Sequence, residues 1–272
     1  MLKLVASAAL WVGFLAPFLA TPVMALDEEA FTIGLNADMS SASAESGEAI
    51  RRGMIVAIDE INATGGVLGR PLQLKVRDHR GNPARGVDNI DAFGAQDDVI
   101  AVMGGLHTPV TMAELPSIHR NNLIYLVPWA AGTNIVDNGY SPNNVFRVSV
   151  RDEYAGRFLA QEAQRRGFKT IGLLLEQTDW GRSNETTFQN VAHKIGLNIS
   201  GVQWFSWGVK DLRLQTEALR SSGADVILLV ATARHGTIAA PAVASMTAAQ
   251  RPPVMSLWCI TGGQVADMLG HG

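Results

Sequence analysis

The chain has 272 residues, of which 47% are hydrophobic and 17% are charged, with 22 Lys and Arg against 25 Asp and Glu. This composition is typical of a globular protein of one large or two medium domains. The formal net charge of −3 excludes a strongly basic nucleic-acid-binding protein. Because Cys259 is the single cysteine, no intramolecular disulfide can form.

The first 25 residues have the pattern of a secretory signal. Lys3 precedes an apolar stretch over residues 4–20, and small residues stand near the end of the segment. This pattern predicts export and cleavage between Ala25 and Leu26. The alternative is a membrane anchor, but the apolar stretch is slightly shorter than the ~20 residues that span a bilayer.

Short apolar runs alternate with amphipathic helical patterns along the rest of the chain. In the clearest helical pattern, Ile50, Met54, Ile58 and Ile61 recur every three or four positions. Predicted strands cover residues 31–37, 72–78, 99–104, 123–127, 170–175, 199–205, 226–230 and 254–258. Predicted helices cover residues 48–63, 85–96, 109–121, 154–166, 180–195, 212–221 and 237–248.

The alternation of strands and helices predicts an α/β fold, with parallel sheets that are covered by helices on both faces. In such sheets ligands bind outside the carboxyl ends of the strands. Near residues 143–152, turn residues surround an isolated extended run, 144–150, which predicts a crossover between two lobes. We therefore predict lobe 1 over residues 26–147 and lobe 2 over residues 148–272.

The strand that ends within VMGGLHTPVT, residues 102–111, is followed by His107, Thr108 and Pro109. Thr108 is a suitable N-cap and Pro109 suits the first helical position. A helix N-terminus binds anions because its first N–H groups are free. The alternative is that Thr108 only caps its own helix.

A second strand ends within LIYLVPWAAGTN, residues 123–134. Ala130, Ala131 and Gly132 have little bulk, so a polar group of a ligand could approach their backbone closely. Thr133 adds a hydroxyl. The alternative is a simple turn, with Trp129 covering the edge of the core.

Two further strand ends carry tryptophan. LEQTDWGRSN, residues 175–184, places Trp180 at the start of a helix, and SLWCITGG, residues 256–263, contains Trp258 and Cys259. An indole at the carboxyl end of a strand could form one wall of a ligand site. The alternative for Trp180 is packing between a strand and a helix in the core.

Motifs of common enzyme classes are absent from the sequence. The loop after the first predicted strand reads NADMSSASAESG rather than GxGxxG, and neither GxxxxGK[ST] nor GxSxG occurs. The six histidines lack the spacing of metal ligands. A lone cysteine such as Cys259 is more often a small buried hydrophobe than a nucleophile. We therefore predict that the protein is not an enzyme and uses no metal or cofactor.

Five blocks of the sequence together resemble one family. They are FTIGLNADMS, GMIVAIDEINATGGVLGRPLQLKVRD, AVMGGLHTPVTMAELPSIHRNNLIYLVPWAAGTN, NVFRVSVRDEYAGRFLAQEAQRRGFKTIGLLLEQTDWGRS and LRSSGADVILLVA. In order and spacing they are similar to the periplasmic substrate-binding proteins of branched-chain amino-acid ABC transporters, which have the type I, leucine-binding-protein-like fold. The resemblance runs from residue 31 to about residue 263.

The resemblance implies two doubly wound α/β lobes joined by a hinge. In the periplasm the lobes close on a small-molecule ligand, and the complex docks on the membrane permease of an ABC transporter. We expect a monomer. The ligand-binding residues that the resemblance and the strand ends point to are His107, Thr108, Ala130, Ala131, Thr133, Trp180, Thr232 and Trp258. We expect the ligand's carboxylate or amide oxygen to lie between Thr108 and the backbone of residues 130–133, with Trp180 or Trp258 against its apolar body.

The sequence departs from the family pattern in two respects. Amino-acid binders of this type place a Glu or Asp near the strand that corresponds to residues 254–258, and no acid stands there. An unpaired buried ammonium is costly, so the sequence favours a carboxylate with an apolar or aromatic body, or an amide-like solute. Asp179 is an alternative partner for an ammonium. The family's chains are also longer and return to lobe 1, so we expect this chain to lack that return, as a fragment or a shortened product.

Two other functions compete with solute transport. A sensory protein could use the same fold to pass the state of its ligand to a partner. A secreted hydrolase would need a nucleophile beside a base, and Thr108 with His107 is the neighbouring pair that the strand ends offer. Adjacent residues at a turn seldom face each other, which disfavours the hydrolase.

Overall fold

The computed structural model describes residues 29–261, 265, 269 and 270. The predicted secretory signal, residues 1–25, lies outside the described residues. The helices are α1 Ala44–Ala63, α2 Pro83–Gly94, α3 Thr108–Arg120, α4 Asp152–Arg165, α5 Asp179–Ile195, α6 Arg213–Ser221 and α7 Ala233–Ala244. The strands are β1 Phe31–Ala37, β2 Leu72–Asp78, β3 Val99–Met103, β4 Tyr125–Val127, β5 Val145–Arg147, β6 Thr170–Glu176, β7 Asn198–Phe205, β8 Val226–Val230 and β9 Val254–Ser256.

The strands form two parallel sheets. The first has the order β2-β1-β3-β4-β5 and the second has the order β7-β6-β8-β9. We call the part of the chain built on the first sheet lobe 1 and the part built on the second sheet lobe 2. In each sheet the chain winds outward in both directions from its first strand, so helices cover both faces. The predicted α/β fold of two doubly wound lobes is confirmed.

The crevices of the two sheets lie where the winding reverses, between β1 and β3 and between β6 and β8. At such switch points the loops after neighbouring strands separate and leave room for a ligand at the carboxyl ends. The central strands are apolar along their length because both of their faces are covered. All five residues of β8, for example, are buried.

The extended run predicted as an isolated crossover is partly a regular strand. Val145–Arg147 form β5, which pairs in parallel with β4 at the edge of the lobe 1 sheet. The chain then passes to α4, which begins at Asp152. The predicted lobe boundary at residues 147 and 148 falls in this connection, and it stays a prediction.

Two helices begin four residues earlier than predicted. α1 begins at Ala44 instead of residue 48, and α7 begins at Ala233 instead of residue 237. Hydrophobic periodicity does not detect these first turns because small and polar residues form them. Both turns border the space between the lobes. Within the described residues, no helix combines the length and the apolar character needed to span a membrane.

Candidate functional site

A cavity of about 270 Å³ opens between the lobes at the carboxyl ends of their strands. We call it the main cavity. Lobe 1 lines it with the loops after β1, β3 and β4, at residues 41–46, 106–109 and 129–131. Lobe 2 lines it with Glu176, Trp180, Trp207, residues 232–234 and Cys259. The space therefore has the position and composition of a ligand site in an α/β protein.

Most of the residues predicted from the sequence come together here. The main cavity is lined by His107, Thr108, Ala130, Ala131, Trp180 and Thr232. They come from four strand ends in two lobes. Their part in binding a ligand stays a prediction.

Thr108 does not cap α3 as predicted. The helix begins at Thr108 itself, His107 occupies the capping position, and no side chain caps the helix. The Thr108 hydroxyl oxygen instead accepts a hydrogen bond of 3.3 Å from the backbone N–H of Gly132. This bond joins the loops after β3 and β4. Among the residues that the structure describes, none accepts the hydrogen of the Thr108 hydroxyl, which is therefore available to a ligand.

Close packing at this junction explains the small residues that follow β4. A Cβ at Gly132 would lie 2.5 Å from Thr108 Cγ2, which no real side chain tolerates. Ala130 and Ala131 are each 3% exposed. The Ala130 N–H donates to the Gly105 carbonyl, and the Ala131 carbonyl accepts from the N–H of Asp152. The main chain of this loop is therefore held firmly at the cavity wall.

The first turns of α1 and α3 also reach the cavity. Ser43 to Ser46 line it at the start of α1, and Thr108 with Pro109 line it at the start of α3. The first N–H groups of a helix lack partners within the helix and carry a partial positive charge. Lobe 1 therefore offers a favourable place for an anionic group such as a carboxylate.

A buried polar cluster fixes the loop after β1. Asp38 accepts hydrogen bonds from the backbone N–H groups of Ser41 and Ser43, at 2.8 and 3.0 Å. Burial raises the pKa of Asp38, but contacts with His107, Ser41 and Ser43 outweigh it and hold the pKa well below its usual range. His79 lies behind His107, and burial together with the charge of His107 lowers its pKa to about 4.

The predicted pair of Thr108 and His107 does not form a nucleophile and a base. His107 Nε2 lies 3.7 Å from Asp38 Oδ2, and the Thr108 hydroxyl is bonded to the loop after β4. Burial, followed by the charge of Glu176, raises the pKa of Cys259 to about 12, so its thiol is a poor nucleophile. Among the described residues, no three His, Cys, Asp or Glu side chains are grouped as a metal site requires.

Two predicted ligand residues lie away from the main cavity. The Thr133 hydroxyl donates to Asp152 Oδ1 at 2.8 Å, so it supports the start of α4. Trp258 is partly buried and packs against the apolar core of lobe 2. Its neighbour Cys259 lines the cavity in its place. Asp179, the predicted alternative partner for an ammonium, borders a separate surface depression.

The sequence analysis missed Glu176, an acid that lines the main cavity. It is the last residue of β6 and is 1% exposed. Its Oε1 accepts a hydrogen bond of 3.2 Å from the Thr178 hydroxyl. Its Oε2 is buried, has no hydrogen-bond partner within the described part of the chain, and lies 3.5 Å from His235 Nδ1. The signal in the sequence was an acid at the carboxyl end of an apolar strand, the edge of the sheet where ligands bind.

Three tryptophans line the cavity, and two of them were not predicted. Trp180 is 6% exposed, so it is both a core residue of lobe 2 and part of the cavity wall. Trp129 and Trp207 also line the cavity. The indole N–H groups of Trp180 and Trp207 are buried and have no hydrogen-bond partners among residues 29–261. Trp180→Ala would therefore disturb folding as well as binding, whereas Trp180→Phe is the cleaner substitution.

Residues 30–268 match the sequence profile of the family described as periplasmic binding protein. This match covers most of the chain. The chain belongs to the periplasmic binding protein family. The family is one of solute-binding proteins, which agrees with a cavity between two lobes.

Relatives within the family differ from the chain in length. A Leu/Ile/Val-binding protein homolog from Brucella melitensis is 25% identical over 197 residues, which are 72% of this chain and 53% of the relative. The chain thus spans about half the length of the curated relatives it matches.

Solved structures of periplasmic binding proteins share the fold. A leucine-binding protein from Thermotoga maritima has a TM-score of 0.80 at 17% identity, over 89% of this chain and 67% of that one. A solute-binding protein of an ABC transporter from Rhodopseudomonas palustris, in complex with p-hydroxybenzoic acid, has a TM-score of 0.81 at 20% identity, over 89% of this chain and 66% of that one. At these identities the likeness shows the fold alone.

Proposed function

We propose that the protein is the solute-binding component of an ABC transporter and that its ligand carries a carboxylate at one end and an ammonium near it. The carboxylate is held by lobe 1 and the ammonium by Glu176 of lobe 2. The observation that carries this proposal is the buried, unpartnered Glu176 Oε2 in a wall that faces two helix N-termini. An α-amino acid is the simplest solute with both groups.

The lobe 1 wall suits a carboxylate for three reasons. The Thr108 hydroxyl has a hydrogen to donate, the first turns of α1 and α3 supply N–H groups, and the small side chains of Ala130 and Ala131 let an oxygen approach the backbone. A hydrogen bond to a charged group contributes roughly 1.5–3 kcal/mol. Three such bonds approach the roughly 8 kcal/mol of a micromolar complex before the entropy cost of binding is subtracted.

Glu176 suits an ammonium because a buried carboxylate oxygen without a partner is costly. Leaving a buried neutral polar group without a hydrogen bond costs about 1–3 kcal/mol, and leaving a buried charged group without one costs more. A ligand that donates to Oε2 removes this cost and gains an ion pair. Glu176 thereby supplies the acid that the sequence lacks near residues 254–258.

A second candidate ligand is a hydroxylated aromatic acid. Trp129, Trp180 and Trp207 give the cavity an aromatic lining, which suits a flat ring. The phenol O–H would then donate to Glu176 Oε2 where the ammonium of an amino acid would. The names of related proteins support both candidates, since one binds p-hydroxybenzoic acid and another is a leucine-binding protein.

Isothermal titration calorimetry with L-leucine and its deaminated analogue 4-methylpentanoate tests the ammonium. The proposal predicts that L-leucine binds at least about thirtyfold more tightly, because the analogue has no N–H that can donate to Glu176 Oε2. Equal affinity of the two compounds would contradict it. 4-Hydroxybenzoate and benzoate form the matched pair for the second candidate.

Transport rather than sensing is the proposed role, with a membrane permease as the partner and the periplasm as the location. Uptake of radiolabelled ligand should fall in cells that lack the protein and return when the gene is restored. A sensory role predicts instead that uptake is unchanged while the transcriptional response to the ligand is lost. N-terminal sequencing of protein from the periplasm should begin at Leu26.

A further inference from the structure

A second cavity of about 220 Å³ adjoins the main cavity. We call it the side cavity. His107, Trp207 and Arg234 border both cavities, so the two lie side by side. Trp207 stands at the junction, with its ring centroid 5.1 Å from that of His107 in the opposite lobe. A ligand that extends from the main cavity past Trp207 would therefore enter the side cavity.

Two residues that line the side cavity, Trp207 and Arg234, have hydrogen-bond donors without partners among the described residues. Trp207 Nε1 is buried without a partner. Arg234 is an exposed residue that lines both cavities, and its guanidinium has no hydrogen bond or ion pair with any residue that the structure describes. Arg80 also borders the space, although its guanidinium already contacts Asp78 at 3.3 Å.

The acceptors around the side cavity are already engaged. Asp38 accepts from Ser41 and Ser43 through both of its oxygens. Both ring nitrogens of His235 are engaged, with the Thr232 hydroxyl at 3.1 Å and the Trp207 carbonyl at 3.2 Å. A ligand group that enters this space therefore meets free donors and satisfied acceptors.

We propose that the side cavity is a second subsite, which takes a second carboxylate at the far end of the ligand and uses Trp207 Nε1 and Arg234 as its donors. The preferred ligand is then acidic at both ends rather than a plain aliphatic amino acid. An apolar side chain here would leave the buried Trp207 N–H unpaired, which is unfavourable. An ammonium would have to compete with the hydrogen bonds that Asp38 and His235 already make. This inference rests on the proposed function and narrows its substrate class.

The test is calorimetry on the full chain with two matched pairs of probes. L-Glutamate against L-leucine compares an acidic and an apolar side chain, and terephthalate against 4-hydroxybenzoate compares a carboxylate and a hydroxyl at the far end of a ring. We expect the acidic member of at least one pair to bind about tenfold more tightly or better.

Two substitutions test whether residues of the side cavity cause the preference for an acidic ligand. Trp207→Phe keeps a ring beside His107 and removes the N–H, and Arg234→Gln removes the charge. Each should reduce the ratio of acidic to apolar affinity by about tenfold. Arg85→Gln is the matched control, because Arg85 is exposed on α2 and borders neither cavity. Circular dichroism of each variant confirms that the fold is retained.

The outcomes separate the two proposals. If neither acidic probe binds more tightly than its matched partner, while L-leucine or 4-hydroxybenzoate binds, the second subsite is overturned and the proposed function stands. An acidic preference that survives both substitutions also overturns the subsite. If none of the four probes binds, both the subsite and the proposed ligand class are overturned.

Discussion

The two walls of the main cavity differ in how well their polar groups are satisfied. On the lobe 1 side, Thr108 bonds to Gly132, and Asp38 behind the wall accepts three hydrogen bonds. On the lobe 2 side, Glu176 Oε2, Trp180 Nε1 and Trp207 Nε1 are buried without partners. At the lobe 1 wall the loops are bonded to each other, and the groups left for a ligand are hydrogen-bond donors, namely the Thr108 hydroxyl and the first N–H groups of α1 and α3. Lobe 2 instead presents buried side-chain groups, an acceptor and two donors, that have no partners among the described residues.

This difference suggests a division of labour. A wall whose loops are bonded to each other can hold a group that all ligands of the class share, such as a carboxylate. A wall with unpaired donors and acceptors discriminates, because each mismatch leaves a buried polar group unsatisfied. Substitutions in lobe 2 should therefore change which ligand binds, and substitutions in lobe 1 should weaken all ligands alike.

Glu176→Gln should give the largest effect on ligand affinity. The substitution keeps the shape of the side chain but removes the charge that pairs with an ammonium. We expect binding of an α-amino acid to weaken at least about thirtyfold, since truncating one partner of a buried charge pair costs roughly 2 kcal/mol or more. Calorimetry with L-leucine and L-glutamate measures it. Glu60→Gln, at an exposed position on α1, is the control, and equal losses in both variants would refute the assignment.

Glu114 is the buried acid of lobe 1 that contrasts with Glu176. Its oxygens accept from Tyr125 Oη at 2.5 Å and Asn36 Nδ2 at 2.8 Å. Burial raises its pKa from 4.5 to about 8, although these hydrogen bonds oppose the rise. Between those two pH values the folded state binds more protons than the unfolded state, so the free energy of unfolding falls as the pH rises.

Glu114→Gln should remove this dependence, because a neutral amide replaces the neutral acid. From pH 5 to pH 8 the wild type should lose stability relative to the variant, on the order of a few kcal/mol. Urea unfolding at pH 5, 6.5 and 8 measures the difference. Parallel profiles for the two proteins would show that Glu114 does not titrate in this range.

Thr108→Val tests the lobe 1 wall, which is proposed to hold the carboxylate that all ligands share. The substitution keeps the shape, removes the hydroxyl from the cavity and leaves the Gly132 N–H without its acceptor. Binding should weaken about tenfold for every ligand that binds, in accordance with one lost hydrogen bond to a charged group. Thr64→Val, on the exposed end of α1, is the control. If only one ligand lost affinity, lobe 1 would discriminate between ligands, and the proposed difference between the two lobes would be wrong.

Thr133→Val should have the smallest effect on binding. Thr133 lies outside the main cavity and donates to the buried Asp152. We expect affinity to change less than about twofold while the free energy of unfolding falls by about 1 kcal/mol, the contribution of one hydrogen bond. A tenfold loss of affinity with unchanged stability would restore Thr133 to the ligand site.

Much of the fold was predictable because parallel strands with both faces covered are continuous apolar runs. The predicted bounds of β1, β2 and β8 agree with the structure. Of the three lobe 1 loops at the main cavity, those after β3 and β4 were predicted from the small residues and hydroxyls that follow these strands, and the loop after β1 was not. Glu176 and Trp207 were missed because nothing in the sequence around them shows that their side chains reach the main cavity. Which strand-end side chains meet across two lobes depends on tertiary packing, which local pattern does not contain.

The most direct test is a crystal structure of the protein with whichever of L-leucine, L-glutamate, 4-hydroxybenzoate or terephthalate binds most tightly. The account predicts ligand density in the main cavity, a carboxylate within hydrogen-bonding distance of the Thr108 hydroxyl, and a ligand N–H or O–H donating to Glu176 Oε2. Density at the main cavity with Glu176 Oε2 still unpaired, or density at another site, would contradict the account.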